Sequence, residues 1–284
     1  MTFLFRLLEA FASERNPYAP IIYKILTFTL IEHHEDQDIR EFLLLNFIDV
    51  LRNSPTIPVG ILVEPLVKQI QNSEGKSYIL NTFDFKFLEA AANHPKLNIK
   101  NAIQLLDILG KLYLTNITFA HVVSPPFLAI ITRYIEEDAM QEYLVEFSKL
   151  CLSKYYTSVK KKKNKESIAK KFIYLEDRDE LFSGPTQITP EMEEEILHAQ
   201  ERALIINILK EIILVRSEFL NAKIKTLLVY TNSQLKQFNH YDNKGIKLLL
   251  SLLGDPDEII RDYEREMEHP PAEMMDYPKK VSER

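Results

Sequence analysis

The sequence predicts an all-α protein of stacked antiparallel helical hairpins with a long C-terminal core helix. Three observations carry that reading. Apolar residues recur at helical spacing along most of the chain, and period-two alternation is scarce. Glycine is rare, 6 in 284 residues, which leaves few positions for the φ > 0 turns of β-rich folds and of glycine-rich phosphate loops. The helical segments also pair off at a period near 40 residues.

Composition is that of an ordinary globular protein, 46% hydrophobic and 27% charged. A chain of this length buries roughly 75% of the surface its unfolded form exposes, and its length suggests one or two domains. The single cysteine, Cys151, forbids an internal disulfide framework and a cysteine-based zinc site, and suits a reducing, cytoplasmic compartment. A formal net charge of −6 argues against general nucleic-acid binding, though a local basic patch remains compatible with it. Met1–Ala12 carries Arg6 and Glu9 inside its apolar stretch, unlike a secretory signal.

Element by element, Ile21, Ile22, Ile25, Leu26 and Thr29 form one face of a first helix. Ile39, Phe42, Leu43, Phe47, Val50 and Leu51 form a second, and Val59 to Ile70 a third that tolerates Pro65. Phe83, Phe87, Leu88 and Ala91 mark a fourth, and Ile103 to Leu112 a fifth capped by Asn98. Phe127–Ile135 makes a sixth and Tyr143–Cys151 a seventh, with Asp138 and Gln141 at capping-box spacing. The 21 residues Leu112–Thr132 contain no charged side chain and reach spanning length. Pro125-Pro126 lies among them, however, so two helices meeting at a buried turn is the expectation.

Segments 17–58, 59–99 and 100–138 hold 42, 41 and 39 residues, each reading as helix, turn, helix. One hairpin cannot bury its own apolar face, so a repeating hairpin pattern implies stacking. In pattern and period the chain resembles the armadillo/HEAT superfamily of α-solenoids over roughly Tyr18–Tyr156. No signature string narrows the resemblance to one family within it. The resemblance implies protein binding along a ridge or concave face. A helical pattern that begins almost at Met1 also suits a shortened solenoid lacking an N-terminal cap, whose apolar end face calls for a partner or another copy.

Beyond this repeat region (1–157) the pattern lapses. Residues 158–189 read as a charged loop or linker, with the run Lys160, Lys161, Lys162, Lys163 and Lys165 followed by Glu176, Asp177, Asp179 and Glu180. Residues 190–267 read as a C-terminal helical region packing on the repeats. Its long core helix starts at Thr189-Pro190 and continues to Leu220. Helices near Ile224–Phe238 and Ile246–Leu253 follow, and Asp255 with Glu258 opens another. His269-Pro270-Pro271 ends helix formation, leaving 268–284 as a flexible tail.

Chemistry is sparse. Adjacent His33 and His34 would point about 100° apart on a helix, so one ion could not readily take both, and no HExxH spacing occurs. Neither a GxSxG elbow nor a GxxxxGK[ST] loop is present, and Cys151 sits on an apolar helical face as a small hydrophobe. No catalytic residue, metal site, cofactor or small-molecule substrate is therefore expected. The lysine run is the candidate partner-binding element, steering towards an acidic surface such as the tails of tubulin. It lacks interleaved aromatics, which speaks against base stacking and nucleic-acid recognition. The reading is a protein-interaction scaffold without enzymatic activity, in a cytoskeletal or ciliary setting. The alternative is a nuclear or regulatory adaptor using the same run as an import or nucleic-acid-contacting segment.

Overall fold

The computed structural model describes residues 18–32, 36–53, 59–60, 62–63, 82–115, 117–173, 190–236 and 243–268, with the backbone alone at 19–20, 23, 31–32, 82–84, 160–173, 190–195 and 266–268. It is all-helical: α1 (Ala19–Glu32), α2 (Gln37–Asn53), α3 (Thr82–Asn93), α4 (Ile99–Tyr113), α5 (Ile117–Tyr134), α6 (Asp138–Ile173), α7 (Pro190–Leu214), α8 (Glu218–Lys236), α9 (Lys244–Ser251) and α10 (Pro256–Glu268). No strand occurs among the described residues. The chain divides into two compact units, Met1–Tyr143 and Leu144–Arg284.

In the first unit α1 packs on α2, α2 on α3, α3 on α4 and α4 on α5. Helix α5 also reaches past α4 to pack on α3. The pattern of α4 explains its position. Ala102, Leu105, Leu106, Leu109 and Tyr113 recur at three- and four-residue spacing and are buried, giving an apolar stripe wide enough to meet two neighbours. Asn98 caps this helix, its Oδ1 accepting from the Asn101 amide at 2.9 Å. Phe47, Phe87 and Phe127 are among the largest fully buried side chains. Phe47 and Phe87 meet at a tilt across the α2–α3 contact, centroids 6.3 Å apart at 58°.

The second unit repeats the skip. Helix α9 packs on α8 and past it on α7, while α10 packs on α9 and past it on α8. Ile205, Ile208, Leu209 and Ile212 of α7, Ile224 and Leu228 of α8, and Ile246, Leu249 and Leu250 of α9 fill its core. The first residues of α9 come so close to α6 and α7 that a Cβ at Gly245 would lie 2.9 Å from Ile206 Cδ1 and 3.0 Å from the Tyr155 hydroxyl. Gly254 closes α9 at φ 150°, a conformation that side-chain-bearing residues rarely adopt.

Several expectations need correction. Pro125-Pro126 does not separate two helices, since α5 runs through both. Proline at these positions frees the carbonyls of His121 and Val122, four residues earlier. Both residues are exposed, so water can take the carbonyls and the helix survives. Asp138 and Gln141 do not form a capping box. Helix α6 starts from the Glu137 carbonyl, and Gln141 Nε2 donates to the Ile135 carbonyl at 2.8 Å. The long C-terminal helix stops at Leu214 after 25 residues instead of continuing to Leu220. Arg216 takes φ 64° and Ser217 restarts the ladder, its carbonyl accepting from the Asn221 amide at 2.9 Å. Asn221 Nδ2 reaches back to the Ile213 carbonyl at 3.3 Å, tying off the end of α7.

The charged linker begins later than expected, because α6 is helical through Ser158 to Ile173. Lysine is a good helix former and extends a helix already nucleated by the buried face of Leu144, Cys151, Leu152 and Tyr155. Residues 174–189 of that linker, the acidic residues included, lie outside the described residues, as do most of the third expected helix and the tail after 268.

Candidate interaction surface

The lysine run sits on the second half of α6. Helical residues step about 100° each, so the backbone positions of Lys160–Lys163 sweep about 300° around the axis. Lys160, Lys161, Lys162, Lys163 and Lys165 thus occupy a rod, where the sequence alone suggests a loop. The last described side chains before them are tied to α7. Ser158, buried, donates from Oγ to the His198 carbonyl at 3.4 Å and accepts from Arg202 Nη1 at 3.1 Å. His198 Nδ1 in turn lies 3.4 Å from Glu201 Oε2. Serine, histidine and glutamate therefore share a neighbourhood, but the serine hydroxyl meets the histidine's carbonyl and an arginine. Among the described residues no imidazole nitrogen is placed to take the serine proton, as nucleophilic catalysis requires.

A second feature escaped the sequence reading. Ile21 and Ile25, placed above on one face with Leu26, point outward with Tyr18 and Phe28; Tyr18, Ile21, Ile25 and Phe28 are 66%, 56%, 54% and 52% exposed. Leu26, Thr27 and Leu30 are the buried side of α1. The available signal was an α1 apolar on nearly all sides, which a helix with one covered face does not need.

The turn between α3 and α4 is the third feature. His94 is buried, and its Nδ1 accepts the Lys96 amide at 3.1 Å. From α5, Arg133 donates to the His94 carbonyl at 2.8 Å and the Asn93 carbonyl at 3.2 Å, and the Tyr134 hydroxyl donates to the Leu97 carbonyl. Beside this turn lies a half-open cleft of about 320 Å³ lined by Leu51, Arg52, Glu89, Asn93, His94 and Pro95. Its mixed lining suits a partner's side chain and contains no nucleophile–base pair.

Cys151 is fully buried, and desolvation pushes its thiol up to about 12, far from the thiolate needed for reactivity. His121 is exposed on α5, while His33, His34, His240 and His269 lie outside the described residues. Among the described residues no three His, Cys, Asp or Glu side chains gather as a metal site, and no helix is long and apolar enough to cross a membrane. No protein-family model matches the chain, and no curated protein or solved structure shows a significant match to it.

Proposed function

We propose that this protein is a non-enzymatic interaction scaffold of armadillo/HEAT-like stacked hairpins, presenting the lysine-bearing half of α6 to an acidic partner protein. The observation that carries the reading is the skip-one packing of helices, α5 on α3, α9 on α7 and α10 on α8, found independently in both units. Stacked hairpins generate that pattern, because equivalent helices of successive hairpins lie side by side. The polymeric acidic tails of tubulin fit the lysine rod by charge, and a cytoplasmic cytoskeletal or ciliary assembly is the setting that follows.

The test is co-sedimentation of the full chain with microtubules. Replacing Lys160, Lys161, Lys162, Lys163 and Lys165 together by alanine removes charge while keeping helix propensity. At about 0.2–1 kcal/mol for each exposed ion pair, the expected loss of affinity is about fivefold or more, with wild-type binding weakening as salt rises. Binding unchanged by the substitutions would overturn the assignment. Intact microtubule binding with lost nuclear accumulation would transfer the run to the import reading.

A further inference from the structure

We propose that the outward face of α1 is the seam of a homodimer, in which a second copy lays its own α1 antiparallel across Tyr18, Ile21, Ile25 and Phe28. These residues follow one another at spacings of three, four and three, the rhythm by which two helices interlock side chains along a shared line. All four are more than half exposed, while the other side of α1 is already buried. A helix apolar on both sides is asking for two neighbours, and among the described elements α2 supplies one.

The area and the charge favour a second copy as the other neighbour. Two aromatic and two isoleucine side chains at this exposure present about 400 Å², and the half-buried Ile22 and Thr29 with the stem of Lys24 raise this to about 500 Å². Two copies would then hide about 1,000 Å², below the roughly 1,200–2,000 Å² of stable interfaces and within the size of transient ones, so the dimer is a reversible one. An unrelated partner would need charges to select it, and among the described side chains of α1 only Lys24 carries one. A twofold pairing asks only that the patch complement itself. Antiparallel placement does this, setting Tyr18 against Phe28 of the second copy and Ile21 against Ile25, with an aromatic pair at each end.

Sedimentation velocity of the full chain from about 1 to about 200 µM should show a monomer passing to a dimer. Raising salt should leave this dimer intact, in contrast to contacts made by lysines. Ile25→Glu should keep the chain monomeric throughout with an unchanged circular dichroism spectrum, since the position is on the surface. A wild type monomeric at the highest concentration, or an I25E chain that dimerises like it, would overturn the proposal. A second measurement needs no loss of stability. The native thiol is sealed in the core, so oxidation reads only introduced cysteines. A mixture of Ile21→Cys and Ile25→Cys chains should form several-fold more disulfide-linked dimer than either alone. Equal yields would defeat the antiparallel seam.

Discussion

The turn between α3 and α4 in the first unit and the docking of α10 in the second are secured by different chemistry. In residues 1–143 the connection between α3 and α4 is held from the side by α5, whose Arg133 and Tyr134 donate to three backbone carbonyls of the Asn93–Leu97 turn. In residues 144–284 the connections of α10 are made by ion pairs, Lys247 with Asp257 at 3.0 Å and Lys236 with Glu264. The members of these pairs are 45–72% exposed. A part-buried carbonyl left without its donor loses a bond that water replaces poorly, whereas an exposed ion pair is exchanged for hydration at little cost. The α3–α4 turn is therefore pinned by its donors, and α10 relies on its apolar contacts through Ile259 and Ile260.

The largest expected effect tests whether the units are energetically separate. Phe127 is fully buried in the first unit beside Tyr113, ring centroids 6.3 Å apart. Phe127→Ala should cost about 3–5 kcal/mol. Hydrogen exchange read peptide by peptide should accelerate over α3–α5 and stay unchanged over α7–α10. Equal acceleration in both would abolish the comparison. Next in size is the contrast between the two kinds of pin. Arg133→Ala should lower stability by about 1–2 kcal/mol, and Lys247→Ala by about 0.5 kcal/mol at most. Denaturation at low and high salt should narrow the second effect and leave the first largely in place. If Lys247→Ala costs as much as Arg133→Ala, the two units do not differ in the way described.

The smallest effect concerns the cap of α10. Asp255 Oδ1 accepts from the Asp257 amide at 2.9 Å and the Glu258 amide at 3.1 Å. Chiefly the Glu258 amide, then that of Asp257, holds this carboxyl below its ordinary range. With the folded value depressed, the stabilisation is complete above the unfolded value of about 3.9 and disappears as pH falls through the lower, native one. Asp255→Asn keeps the hydrogen-bond acceptor without the titration. Thermal melts of the two chains should therefore run parallel near neutral pH, with the wild type losing ground to the variant below about pH 4. A constant offset down to strongly acidic pH would show that the carboxylate does not act as described.

Most helices were legible because their apolar spacing is local information. Asn98, Asp255 and Pro190 stand at helix starts for reasons a short window contains: a side-chain acceptor for free amides, or a residue with no amide to leave unsatisfied. What could not be read depended on surroundings. Pro125-Pro126 breaks a helix or not according to whether the freed carbonyls meet water, which is a property of the folded surface. The break at Val215–Ser217 was masked by an apolar run on both sides, and only Ser217 hinted at a new start. In α1 the periodicity showed a helix but could not say which side would be covered, so the exposed Ile21 and Ile25 were placed on one face with the buried Leu26. The lysines were visible as charge but not as a rod. Like charges suggested a loop, while the outcome depended on the helix already standing before them.

That rod bears on control of the protein. Five lysines carried within six residues of one helix, at a backbone rise of about 1.5 Å per residue, concentrate charge along a short rod, whose attraction depends on how many charges remain and little on which ones. Acetylating one lysine would subtract one increment and leave the others in place, making the arm a stepped dial instead of a switch.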